Sequence, residues 1–161
     1  MTHEPRGDVV GPGEGRRVPV GPNWLTVKVG PESGGRLVGL FESELPPGGG
    51  FPYAHLHDAY EEIFYVLEGV IDYRVGDDWI ATTTGSTVFV PPGVVHAFRN
   101  SSPRLARHLV VHAPVEALAM VEEIGRTAPE GFAAVLDRYR TRLVDGIGNA
   151  GTPFGSTEVD P

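Results

Sequence analysis

The sequence predicts an all-β domain, an antiparallel sandwich or barrel. Short β-prone runs succeed one another from Trp24 to about Pro114, and turn signals rich in Gly and Pro separate them at close, regular spacing. After Pro114 the apolar residues fall on spacings of 3 and 4, which is the period of an amphipathic helix.

Each element follows from its residues. The first 23 residues carry Gly11, Pro12, Gly13, Gly15, Pro19, Gly21 and Pro22, a density of breakers that predicts an extended N-terminal arm with at most a short edge strand. Residues 24–114 hold the runs WLTVKVG, GRLVGLFESEL, IFYVLEGVIDYRVGDDWIATTTG, STVFVPPGVVHAFRN and ARHLVVHAP, which make the β domain. Val115, Leu118, Ala119 and Glu122, then Phe132, Val135, Leu136, Tyr139 and Leu143, place two helices in residues 115–145. Pro129 suits the first turn of the second helix, and residues 146–161 read as a flexible tail of Gly, Thr and Pro.

Composition excludes several classes of function. The chain has 161 residues, enough for one domain that buries roughly 70% of its unfolded surface. Its net charge is −8, from 13 Lys and Arg against 21 Asp and Glu, and no basic cluster could track a phosphate backbone, so nucleic acid is not an expected partner. With no cysteine, any metal must be held by nitrogen and oxygen. No leader-like start and no apolar run of roughly 18 residues is present, so the expectation is a soluble, cytoplasmic protein without a membrane partner.

The chemistry concentrates in AHLHDAYEEIFYVLEG, residues 54–69. Successive strand side chains point to opposite faces, so His55 and His57 share one face with Tyr53. Glu68 and Gly69 read as a two-residue hairpin loop, which would set Glu62 opposite Val75, Phe64 opposite Tyr73 and Val66 opposite Ile71. The inward set is then Glu62, Phe64, Val66, Ile71 and Tyr73. Ile63, Tyr65, Leu67 and Val70 on the other face are too apolar for water, so helices or a second subunit are expected to cover them, and a homodimer is expected. A second stretch, GSTVFVPPGVVHAFRN, sets His96 and Phe98 on one face. Three neutral imidazoles and one carboxylate form an N3O donor set that leaves one or two coordination positions open. Taken singly, an H-x-H strand is more often a polar surface feature, and Glu61 with Glu62 a solvated pair. His3, His108 and His112 have no such company and read as structural.

Together these residues match a specific pattern. Gly49, His55, His57, Glu62 and Gly69 stand at G-x5-H-x-H-x4-E-x6-G; Gly85, Pro91, Gly93, His96 and Asn100 stand at G-x5-P-x-G-x2-H-x3-N. Ten fixed positions arise by chance at a given place on the order of once in 10¹³. The pair resembles the two signature motifs of the cupin family, with the short spacer of 15 residues similar to that of small bacterial cupins. The resemblance covers about residues 35–114. It implies a double-stranded β-helix, the cupin jelly roll, here with an extended arm before it and two helices after it. It also implies that His55, His57, Glu62 and His96 are the ligands of one divalent transition metal (Fe, Mn, Ni, Co, Cu or Zn), that Glu61 points away, and that Gly69, Gly93 and Asn100 are structural.

In layout, with MVEEIGRTAPEGFAAVLDRYRTRLV as the helical pair, the chain also resembles small cupins similar to quercetin dioxygenases. That implies a metal-dependent dioxygenase acting on an aromatic or enolic small molecule, with Glu62 as the catalytic residue that takes the substrate's proton, or else a hydroxide on the metal. Phe51, Tyr53, Phe64, Tyr73 and Phe98 would form the substrate pocket, where they would equally serve as core. Arg74 and Arg99 are out of phase with the inward residues, which disfavours dicarboxylic acids. A non-redox cyclase or isomerase of polyketide-like substrates and a small-molecule-binding protein without turnover are the alternatives.

Overall fold

The computed structural model describes residues 7–34 and 36–144. His3 and the expected tail of residues 146–161 lie outside the described residues. The strands are β1 (Arg16–Val20), β2 (Asn23–Val29), β3 (Gly39–Leu45), β4 (Gly50–His57), β5 (Glu61–Glu68), β6 (Val70–Val75), β7 (Asp78–Thr83), β8 (Thr87–Val90), β9 (His96–Arg99), β10 (Ala106–Ala113) and β11 (Thr141–Leu143). Helices α1 (Ala117–Gly125) and α2 (Phe132–Arg138) lie between β10 and β11. A six-stranded sheet runs in the order β1-β2-β3-β10-β5-β8, and a five-stranded sheet runs β11-β4-β9-β6-β7. This is the jelly-roll barrel, and its strands pair antiparallel throughout.

Alternation of burial builds the interior. On β10, Ala106, His108, Val110 and His112 face inward; on β3, Phe41, Ser43 and Leu45 do. Glu62, Phe64 and Val66 of β5 and Ile71 and Tyr73 of β6 are buried, so the expected inward set is present. The hairpin that was expected to align them is not. β5 pairs with β8 and β10, setting Glu62 opposite Val90 and His112, while β6 pairs with β7 and β9, setting Tyr73 opposite Ile80 and Phe98.

The chain turns a corner at Gly69 and changes sheet. Its φ is 79°, and a Cβ there would stand 3.0 Å from the Leu105 carbonyl oxygen. Only glycine meets both conditions without strain. Each strand keeps its inner face through the corner, so parity survives although the partners change.

Asn100 closes the second motif as a structural residue. Fully buried, it donates to the carbonyls of Leu45 and Arg104 and accepts from the amide and hydroxyl of Ser102.

The helices do not cover the outer face of β5. Ile63 and Tyr65 remain 39% and 43% exposed, and Phe89, opposite Ile63, is 54% exposed. Instead α1 packs on β1 and α2 on β11, and both turn apolar residues toward the barrel mouth. Pro129 opens a single 3-10 turn that precedes α2. The segment 115–145 also contains β11, which helical spacing did not foreshadow, and β11 pairs with β4.

Candidate metal centre

Two sheets contribute to one cluster. His55 and His57 come from β4, and His96, which opens β9, lies directly opposite His55. Glu62 reaches in from the facing sheet. One ligand atom from each of these four buried residues lies within 4.8 Å of the others. The imidazole centroids are 4.1 Å apart for His55 and His96, and 5.0 Å for His57 with either neighbour. Glu61, the next residue to Glu62, is exposed and turned away.

Hydrogen bonds orient each ring. Nδ1 of His55 meets the Tyr53 carbonyl at 2.8 Å, Nδ1 of His96 meets the Val94 carbonyl at 3.0 Å, and Nδ1 of His57 meets the Thr141 hydroxyl at 2.7 Å. Because a carbonyl only accepts, His55 and His96 must each carry a proton on Nδ1, which turns Nε2 of each toward the cluster. Nε2 of His96 lies 2.7 Å from Glu62 Oε2, and Nε2 of His57 lies 3.4 Å from the same atom. Among the described residues, His57 Nε2 is buried with no hydrogen-bond partner. Three converging ring nitrogens, one of them orphaned, and a carboxylate oxygen fit a divalent transition metal.

Charge follows from these contacts. Burial, reinforced by His96 and His57, holds His55 well below its ordinary pKa, so it is neutral and ready to ligate. Burial alone would raise the Glu62 carboxyl, but the imidazoles of His112 and His57 outweigh it and keep the group ionised. Burial would likewise lower His96, yet its hydrogen bond to Glu62 and the charge there raise it.

The expected pocket residues divide into two groups. A cavity with about 600 Å³ of empty space, counted out to its solvent mouth, is lined by Phe51, Phe64 and Phe98, and His55 and Glu62 reach its wall. Tyr53 and Tyr73 do not line it. The β4–β9 register shifts between Phe51 and His55, and Tyr53, Ala54 and His55 are buried in succession, so strict alternation fails there. Tyr53 packs its ring edge-on against Phe132 of α2. Tyr73 is held in the barrel core by a 2.6 Å hydrogen bond to His108.

Sequence reasoning set aside two histidines that the fold brings inward. Nε2 of His112 lies 2.5 Å from Glu62 Oε1, so the carboxylate that offers Oε2 to the cluster is gripped at its other oxygen. His108 is completely buried beside Tyr73, Phe64 and Phe98. The alternation of ARHLVVHAP carried the signal, since His108, Val110 and His112 share a face. Thr141 left no signal, because a three-residue strand has too short a pattern.

Comparison with known proteins bears on this geometry. A model described as a cupin domain matches residues 41–112. That span contains all four clustered residues and both motifs.

Residues 41–112 are a cupin domain.

Protein SchB of Streptomyces halstedii is 35% identical over 85 residues, which is 50% of this chain and 62% of that protein. The chain spans less than two thirds of the curated relatives it matches, 54% and 62% of their lengths. The polyketide cyclase RemF from Streptomyces resistomycificus superposes with a TM-score of 0.60 at 25% identity, over 69% of this chain and 81% of that one. KdgF from Halomonas sp. gives the same TM-score at 14% identity, over 68% and 94%, a likeness of fold. Among the described residues, no helix of this chain is long and apolar enough to cross a membrane.

Proposed function

We propose that this cupin is a metal-dependent enzyme that cyclises a neutral, largely apolar enol or phenol of the aromatic polyketide kind. The observation that carries this reading is the lining of the cavity. Its polar end is formed by His55, Glu62 and His112, and most of the remaining wall is apolar, with Val20, Leu25, Phe41, Phe98, Met120 and Leu136 among its residues. No Lys or Arg lines it among the described residues. Arg99 pairs with Asp72 and stacks on Trp79, and Arg107 pairs with Glu42 and Glu68, so neither is available to a substrate carboxylate or phosphate. The likeness to a polyketide cyclase supports the same substrate class.

His55, His57, His96 and Glu62 would hold a divalent ion, which supplies Lewis acidity to a substrate oxygen in an open position. Phe51, Phe64 and Phe98 offer ring faces and edges to a planar substrate. Met120, Val121, Ile124 and Leu136 of the helices form the far wall and keep water from the reacting end. Glu62 is unprotonated at neutral pH and would be the base for a substrate hydroxyl held at the cluster. With its pKa held low it is a weak base, and its larger contribution is as a ligand.

A second reading, dioxygenation of the same kind of substrate, rests on the donor set, since three imidazoles and one carboxylate also suit a redox-active ion. An intramolecular aldol closure joins an enol carbon to a ketone carbon and releases water on aromatisation, so it needs no oxidant. An oxygen electrode and product mass separate the two, with a linear poly-β-ketone as the cyclisation substrate and flavonols, catechols and β-diketones as the dioxygenation panel. Conversion under argon with loss of water is expected; O2 consumption in step with substrate loss overturns cyclisation in favour of dioxygenation. A cytoplasmic setting belongs to the proposal, supported by the lack of cysteine.

So does a homodimer formed through Ile63, Tyr65 and Phe89. Sedimentation at micromolar concentration should give twice the chain mass, and a monomer mass would sink that part.

A further inference from the structure

We infer that Thr141, which lies outside the cupin domain, is a positioning residue of the metal centre: it holds His57 in the one tautomer that can ligate. The inference rests on the reading of the four-residue cluster as a metal site, and it concerns how this chain supplies a part that its barrel lacks.

The three histidines are not oriented alike. His55 and His96 are each locked by a main-chain carbonyl two residues earlier, an acceptor present whatever the side chain there. His57 has no such local lock. Its Nδ1 meets Oγ1 of Thr141, 84 residues along the chain and opposite it in the β4–β11 ladder. A hydroxyl can donate or accept, so the direction must be fixed by what else the hydroxyl touches. Oγ1 lies 3.3 Å from the Met120 sulfur and 3.4 Å from the Tyr139 carbonyl oxygen, and both of these only accept. The Thr141 proton is therefore turned toward them, a lone pair faces His57, and His57 must carry its proton on Nδ1. Nε2 is left as the orphaned buried lone pair beside Glu62.

The segment around Thr141 is tied down in a way that serves this contact. Arg140 adopts a left-handed backbone, φ 54°, which a residue with a side chain takes up only at a cost. Its carbonyl accepts the Asp58 amide at 2.9 Å, and the Arg142 guanidinium pairs with the Asp58 carboxylate at 2.9 Å. Both anchors grip the residue that follows His57. Thr141 itself is 1% exposed, so water cannot replace its hydroxyl. Outer-shell partners of this kind typically govern metal affinity by 10–100-fold.

The test uses the full chain with Zn²⁺ alone as probe, comparing wild type, Thr141→Val and Thr141→Ser. Valine keeps the shape and removes the oxygen. The Zn²⁺ dissociation constant should rise by roughly 10–100-fold in Thr141→Val and return to within a few-fold of wild type in Thr141→Ser. Long-range ¹H–¹⁵N spectra of the metal-free proteins read the tautomer directly. His57 should be protonated on Nδ1 in wild type and Thr141→Ser, and on Nε2 or on a mixture in Thr141→Val. Wild-type affinity in Thr141→Val, or no rescue by serine, overturns the inference. Should wild type bind no Zn²⁺, the metal reading falls, and the spectra alone decide: a tautomer that changes with Thr141→Val sustains the role of Thr141, and an unchanged one overturns it.

Discussion

His96→Ala, like His55→Ala, should abolish tight metal binding while leaving both sheets folded. His96 makes the 2.7 Å contact to Glu62 Oε2 and lies 4.1 Å from His55, centroid to centroid, so its loss removes a donor and leaves the carboxylate facing an empty quarter of the site. Loss of a ligand should cost more than the roughly 10–100-fold typical of an outer-shell change. The fold should survive, because the strands carrying His55 and His96 are paired on both sides, β4 with β9 and β11 and β9 with β4 and β6. Glu61→Ala is the control: the side chain is exposed and should leave affinity within two-fold of wild type, whereas Glu62→Ala should empty the site. Elemental analysis after equilibration with Zn²⁺, alongside far-ultraviolet circular dichroism, reads both quantities. A His96→Ala protein that retains one equivalent of zinc would falsify the assignment.

Acid should destabilise the metal-free protein, and His108 should account for about one proton of that effect. Burial pulls the His108 imidazole down to about 3 from its ordinary value near 6.5. The folded pKa therefore lies below the unfolded one, and between those values the unfolded chain binds the extra proton. By linkage the stability from this group is complete above pH 6.5 and falls by about 1.4 kcal/mol for each unit toward pH 3, then levels off. His55, also lowered, acts in the same direction, and Glu62 joins below the ordinary carboxyl range. His96 is raised and acts oppositely, its contribution being lost as pH rises.

Replacing both members of the buried pair, Tyr73→Phe with His108→Leu, isolates the effect. It removes both polar partners at once, so neither is left buried and unpaired, and Phe64 and Phe98 already surround the position. Urea unfolding of chelator-treated protein between pH 7 and pH 4.5 should show a slope about one proton shallower in the double variant. Equal slopes would remove His108 from the account.

Much of this protein was legible without coordinates, and the reasons are physical. In a regular strand the direction of a side chain follows from its place along the strand. That is why Glu62, Phe64 and Val66 of β5, and Ile71 and Tyr73 of β6, all point inward even though β5 and β6 lie in different sheets. The two motifs carry the four clustered residues in spacings that chance does not supply, so the cupin domain and its candidate ligands belong to the sequence alone.

Partnership belongs to the tertiary structure. Strand pairs form between segments far apart in sequence, and no local rule states which inward side chains will meet. Thus His112 reaches Glu62 because β10 lies beside β5, and His108 reaches Tyr73 across the barrel. Tyr53 leaves the cavity because β4 is irregular before His55, and the helices close the mouth instead of covering β5. Above all, Thr141 meets His57 only because a three-residue strand returns to the edge of β4, a contact that exists nowhere until the whole chain has folded.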